Sequence, residues 1–299
     1  METDDKPPAR FTTAQSRELG EELRRARKRA GFRGTKFCEE LEWSTAKLSK
    51  LEKGWRGTSD WEIGTFLGKC GADKATRERV MRLAQEPDVG FFVRRHAGTS
   101  SDGLLSLVLH QRAALTITSY DTMVIPGLLQ SMGYTRALLE MTRSVPVEDV
   151  DEQVRVRMDR QEFLCGGSPP VSTFYIHETA LRLRIGGSRV MHDQMMRLAF
   201  MCGWTHLRLR VVPFSAQGHP ALRYPSTLMT FTRNAKPVAY AESDLTTVFL
   251  EEERAIEFHE EKHGVLDALA LSADESHEVF THWANVYDRA DDHGQVPWG

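Results

Sequence analysis

At 299 residues, with 40% hydrophobic and 27% charged residues, the chain has material for two soluble domains, each with its own core. A formal charge of −3 excludes a uniformly basic, indiscriminate nucleic-acid binder, and no apolar run approaches the ~20 residues needed to span a bilayer. The four cysteines (Cys38, Cys70, Cys165, Cys202) are scattered with no Cys-x-x-Cys pair, which argues against a disulfide framework or zinc site and for a reducing cytoplasm. No cofactor is expected.

Residues 1–14, opening Met-Glu-Thr-Asp-Asp-Lys-Pro-Pro, are polar and acidic and are expected to form a disordered tail. An amphipathic helix follows, with Leu19, Leu23, Ala26 and Ala30 on one face and Gly31 as its stop. Residues 35–54 read as two short helices joined by a tight turn. Phe37 and Leu41 share one face of the first helix. Ser44 caps the second, Leu48 and Leu51 turn it toward a core, and Gly54 supplies a left-handed end. Its outer face is then Thr45, Ala46, Lys47, Ser49 and Lys50, small or basic residues of the kind a helix needs to enter a major groove. A helical hairpin with merely solvated lysines would show the same pattern. Trp61, Ile63, Phe66 and Leu67 mark another helix ending near Gly71, and residues 72–84 a last one, with Val80, Leu83 and Ala84 inward.

Charge supports the groove-binding reading. From Arg10 to Arg56, 13 lysines and arginines stand against 7 acidic residues, a surplus of six; the remainder of the chain must therefore carry −9. A basic head on an acidic body suits a polyanion at one end only.

The succession over residues 15–85 resembles the Xre-type helix-turn-helix family. The family's Leu-Gly-Val-Ser…Ile-Ser-Arg-Leu-Glu-Arg-Gly is matched by Leu41-Glu42-Trp43-Ser44…Leu48-Ser49-Lys50-Leu51-Glu52-Lys53-Gly54. Two departures stand out. Glu42 replaces the turn glycine, so that corner is expected to be built differently, and Thr35-Lys36 replaces Ser-Gln at the start of the motif. On this reading Thr45, Ala46, Lys47, Ser49 and Lys50 approach base edges, while Arg33, Lys36, Lys53 and Arg56 contact phosphates. The expected partner is double-stranded DNA with a pseudo-palindromic operator, bound by a homodimer.

Residues 87–103 read as a linker, ending in Ala-Gly-Thr-Ser-Ser-Asp-Gly. Beyond it, helices are predicted over 104–114, 131–142, 147–164, 188–203, 251–269 and 273–289. Strands are predicted over 171–176, 207–212, 227–232, 237–240 and 246–250. Short polar connections between successive strands favour antiparallel pairing. The fold class is therefore an all-α helix-turn-helix domain (15–86) followed by an α+β domain (104–290) with a mostly antiparallel sheet and a tail at 291–299.

Several stretches of that second domain also resemble the uncharacterised domain behind an Xre-type head in actinobacterial, WhiJ-like regulators, also described as antitoxin-like. They are Ile125-Pro126-Gly127-Leu128-Leu129-Gln130 with Tyr134, Arg157-x-x-Arg160-Gln161, His177-Glu178-x-x-Leu181, Val190-Met191-x-x-Gln194, Val212-Pro213-Phe214 and Ala239-Tyr240-x-Glu242. The resemblance implies a sequence-specific regulator acting with a small partner protein. From the residues alone, Arg157, Arg160 and Gln161 form a helical stripe that could pin Glu178 or Glu242 in a structural network, or bind an acidic ligand or partner. Trp204, Phe214, Tyr224 and Trp283 could line a pocket or an interface, or belong to the core.

An enzyme is not expected. His177-Glu178, His192-Asp193 and His219 are titratable, but no phosphate loop or nucleophile elbow accompanies them. His259 and His263 are four apart without the zincin pattern between them, on a helix face expected to be exposed. Two non-enzymatic classes remain: a DNA-bound regulator with a dimerising, ligand- or partner-binding second domain, and an antitoxin-like protein that neutralises a partner and binds DNA for autoregulation.

Overall fold

The computed structural model describes residues 12–55, 59–95, 102–142, 145–243 and 245–290. Two compact units emerge. The first comprises residues 1–92 with the strips 231–238 and 249–252, and the second comprises 93–230, 239–248 and 253–299. Among the described residues no helix is long and apolar enough to cross a membrane.

The first unit holds α1 (Ala14–Arg29), α2 (Gly34–Leu41), α3 (Thr45–Glu52), α4 (Asp60–Lys69) and α5 (Lys74–Gln85). Their starts are written in the sequence as caps. Thr13, Ser44, Ser59 and Asp73 each accept a backbone N–H from the first turn that follows. The apolar positions converge on one core of Leu23, Phe37, Leu48, Leu51, Ile63, Phe66, Leu67 and Val80. Phe37 and Phe66 sit at its centre with ring centroids 4.6 Å apart. Each such side chain contributes roughly 1.5–3 kcal/mol by leaving water. Trp61 does not join them: it is 75% exposed. Helix α1 lies close against the end of α3, where a Cβ on Gly20 would stand 2.6 Å from the Glu52 carbonyl.

Two strips from late in the sequence complete this unit. Thr12 donates to the Asn234 carbonyl and accepts from Lys236 N, at 2.9 and 3.2 Å. The Ala14 amide, an open donor at the start of α1, is filled by Glu251 Oε1 at 2.8 Å. Arg17 stands 3.7 Å from that carboxylate and 4.4 Å above the Phe231 ring. Burial pushes the Glu251 carboxyl up to about 7, against the pull of Arg17, and lowers the Arg17 guanidinium to about 10.

Along the chain the remaining elements are β1 (Phe91–Arg95), α6 (Asp102–Ala113), β2 (Thr116–Asp121), α7 (Met132–Thr142), α8 (Val150–Gln161), β3 (Val171–His177), α9 (Glu178–Arg182), α10 (Ser188–Met201), β4 (Leu207–Val212), β5 (Ser226–Thr230), β6 (Val238–Glu242), β7 (Thr246–Leu250), α11 (Glu253–Leu269) and α12 (Ala273–Asp288). The strands form one sheet in the order β1-β7-β6-β5-β2-β3-β4. The α+β class is as expected, and the sheet is mixed. β2 and β3 run parallel (Ile117 opposite Ser172), as do β3 and β4 (Phe174 opposite Leu209), while β2 and β5 are antiparallel. Parallel neighbours need long crossovers, and helices α7 to α10 supply them. Helix α12 packs on α10 and β4, and α11 lies against β5.

Three elements escaped the sequence reading. β1 occupies part of the expected linker. β2 was missed because its inward positions include Ser119 beside Tyr120, which breaks the period-two apolar signal. α9 is only five residues long. His259 and His263, expected on an exposed face, are both buried, since α11 turns them toward the sheet.

Candidate functional site

The helix-turn-helix is built by α2 and α3. Glu42 sits at φ 55°, ψ 38°, so the corner expected to differ adopts the left-handed conformation that a glycine would take there. Ser44 Oγ accepts from Lys47 N at 3.1 Å and starts α3. Its end is a Schellman turn, with Gly54 N bonded to the Leu51 carbonyl (3.0 Å) and Trp55 N to that of Lys50 (2.8 Å). Gly54 has φ 73°, and a Cβ there would meet the α1 backbone at Ser16, 2.5 Å away. Leu48 and Leu51 face the core as expected.

What α3 offers to solvent is Thr45, Ala46, Ser49, Lys50 and, just past its end, Lys53. Among the described residues no ion pair engages Lys50 or Lys53. Lys47 is placed otherwise. Its Nζ lies 2.8 Å from Glu62 Oε1 on α4 and 3.9 Å from the Trp43 ring centre, so its ammonium is turned back onto the domain. Sequence spacing could not reveal that hold, because Glu62 comes from another helix. Arg33 and Lys36 are exposed at the start of α2, with Lys36 loosely paired to Glu40 at 4.0 Å. Arg56 lies outside the described residues. Three arginines of α1 are held by carboxylates instead: Arg24 and Arg25 pair with Glu21 and Glu22, and Arg27 pairs with Glu52.

In the second unit the motif residues divide into two groups. Gln130, Gln161 and Gln194 satisfy the turn at 125–131. Gln161 Nε2 donates to the carbonyls of Gly127 (2.9 Å) and Gln130 (3.0 Å), Gln194 Nε2 to that of Leu129 (3.0 Å), and Gln130 Nε2 to that of Ile125 (2.8 Å). Tyr134 Oη accepts from Ile125 N at 3.2 Å, while Arg197 donates to Gln161 Oε1. Leu128 and Leu129 are buried behind this corner. Arg157, Arg160 and Glu242 instead line a cavity together with Asp121 and Tyr240. Glu178 is not among them. It pairs with Arg182 at 2.8 Å and accepts from Phe214 N, so of the two carboxylates considered for the arginine stripe only Glu242 stands beside it.

Burial pushes Asp121 up to about 6, opposed by the Ser119 hydroxyl, which donates to it at 2.7 Å. Asp121 and its strand were missed by sequence reading; a lone Ser-x-Asp gives no signal without β2. Phe214 and Tyr224 are exposed and Trp283 is buried, and none lines the cavity. Among the described residues no group of three or more His, Cys, Asp or Glu could hold a metal ion.

A capped, Schellman-terminated second helix set across a tight corner from α2 defines a helix-turn-helix domain. Residues 18–80 match the profile of a helix-turn-helix domain, and residues 104–282 match that of a domain of unknown function, DUF5753. The second match spans more than half of the chain, which belongs to the DUF5753 family. No curated protein matches it. Among solved structures, that of TrmBL2, an archaeal chromatin protein described as showing a novel mode of DNA binding, is similar at 15% identity. The alignment covers 71% of this chain and 67% of that one at a TM-score of 0.31, too slight a likeness to carry an argument.

Proposed function

We propose that the protein is a sequence-specific transcription regulator that binds a pseudo-palindromic operator as a homodimer, with the α3 helices of two copies in successive major grooves about one helical turn apart. The observation that carries this reading is the exposed row Thr45, Ala46, Ser49 and Lys50 on a helix whose opposite side is anchored by Leu48 and Leu51. Lys50 reads base edges, and Arg33, Lys36, Lys53 and Arg56 hold phosphates. Lys47, engaged by Glu62, supports the shape of this face and does not itself read bases.

Fluorescence anisotropy against DNA upstream of the protein's own gene, with a scrambled competitor and two salt concentrations, tests the reading. Lys50→Ala should weaken binding to the specific site selectively, and Lys36→Ala should lower affinity on both DNAs and flatten the salt slope by about one. Equal affinity for operator and scramble, abolished by modest salt, would sink it.

A second reading, an interaction protein that captures a partner and binds DNA only for autoregulation, is favoured by one observation. On α10, Phe200 and Met196 are 72% and 49% exposed, an apolar surface suited to another protein. Pull-down with wild type and Phe200→Ser tests it: a partner captured by wild type and lost in the variant supports this reading, and capture unchanged by the substitution sinks it.

A further inference from the structure

The second unit contains a cavity of about 530 Å³, within the range of small-molecule sites. Its walls come from α6, α7, α8, the turn at 124–130 and strands β2, β3, β5 and β6. One side is apolar, formed by Leu107, Ile117, Leu138 and Phe174. The other carries two arginines three residues apart on α8, so that both side chains leave the same face of the helix.

The state of these arginines is unusual. Arg160 Nε donates to Gln111 Oε1 at 2.8 Å, and among the described residues no ion pair engages its guanidinium. Arg157 makes neither a hydrogen bond nor an ion pair within the described residues. Burial lowers both guanidiniums below their ordinary value, and the carboxylate of Glu242 only partly offsets it. Glu242 itself accepts a hydrogen bond from the Tyr240 hydroxyl. Two desolvated cations facing one space without a bonded counter-charge are costly unless something else neutralises them. A surface arginine of the same helix shows the contrast: Arg155 forks onto Glu152 at 2.6–3.0 Å.

We infer that the cavity is a binding site for a small organic acid, its carboxylate seated on Arg157 and Arg160 and its apolar body against Leu107, Ile117, Leu138 and Phe174. The guanidinium fork matches a carboxylate bidentately. Asp121 and Glu242 line the same space, so a second acidic group on the ligand is disfavoured, whereas a hydroxyl or amine finds acceptors there.

The test pairs acids with their neutral amides on the full chain without DNA: octanoate and octanamide, phenylacetate and phenylacetamide, 1-naphthaleneacetate and its amide. Isothermal titration calorimetry should find at least one acid bound ten-fold or more tightly than its amide. Arg157→Gln and Arg160→Gln should remove that preference while leaving amide affinity unchanged, and Arg155→Gln should behave as wild type. Arg157 has no bond to lose, so its variant is expected to keep the wild-type melting temperature. If no acid outbinds its amide, or if the Arg157 and Arg160 variants bind acids as tightly as wild type, the assignment is overturned. Because no DNA is present, this result and the fate of the regulator reading are separate.

Discussion

The guanidinium of Arg27 and the carboxylate of Glu52 meet fork to fork, Nε to Oε1 at 2.6 Å and Nη2 to Oε2 at 3.0 Å. Arg27 lies on α1 and Glu52 is the last residue of α3; their side chains are 9% and 11% exposed. Arg27 Nη1 also donates to the Phe32 carbonyl at 2.7 Å. One arginine thus ties α3 and the α1–α2 connection to α1.

Removing one partner of this pair leaves the other charge nearly buried and unmatched. Arg27→Met is expected to destabilise the head by about 3 kcal/mol. Arg27→Met combined with Glu52→Leu should cost less than Arg27→Met alone, because no orphan charge remains. Urea denaturation of the singles and the double forms the cycle; strictly additive losses would show that the pair contributes nothing of its own.

Glu42 holds a left-handed conformation that disfavours side chains with a Cβ. It is exposed, so no packing repays that cost. Glu42→Gly should raise stability by roughly 0.5–1 kcal/mol, and Glu42→Ile should lower it, because β-branching resists this region further. A fall in melting temperature for the glycine variant would show that the Glu42 side chain contributes more than the backbone loses.

Lys47 and Lys50 look equivalent in sequence and differ in structure. Lys47→Met, which keeps the stem over Trp43 but loses the charge at Glu62, should lower stability by about 0.5–1 kcal/mol and leave base preference intact. Lys50→Met should leave stability alone and change base preference. Competition binding against a panel of single-base operator variants reads the difference; a changed preference in the Lys47 variant would restore it to the base-reading set.

How legible this was in the sequence depends on the range of the interactions. Caps, the Schellman glycine and the period of Leu48 and Leu51 are local, and they were readable directly. Arg157 and Arg160 could be placed on one stripe, but whether it met Glu178, Glu242 or a ligand required knowing where β2 and β6 run. β2, with Ser119 and Asp121 at its far end, carries polar residues at inward positions because it faces a cavity. The feature that makes it interesting also made it look like a loop.

Acid should destabilise the second unit through α11. Burial lowers His259 to about 4 and His263 to about 3, with the Lys262 charge adding to the effect. Their folded values lie below the ordinary 6.5, so the unfolded chain binds more protons across that interval. Stability is therefore full above about pH 6.5 and is lost as pH falls toward 4, by a few kcal/mol in all. His259→Phe should flatten that slope in chemical denaturation measured from pH 7.5 to 4.5. A slope unchanged by the substitution would assign the acid sensitivity elsewhere.

The strips at 231–238 and 249–252 give the head an unusual schedule. Its five helices have all been synthesised by Gln85, yet the Ala14 amide and the Arg17 guanidinium wait for Glu251, and Thr12 waits for Asn234. At ribosomal speed that gap is about ten to thirty seconds. A head released alone, by a protease or by a stop codon after Gln85, would keep α3 but start α1 without its partner carboxylate. The head is thus made first and finished last, and grafting it onto another protein would require three pieces of chain rather than one.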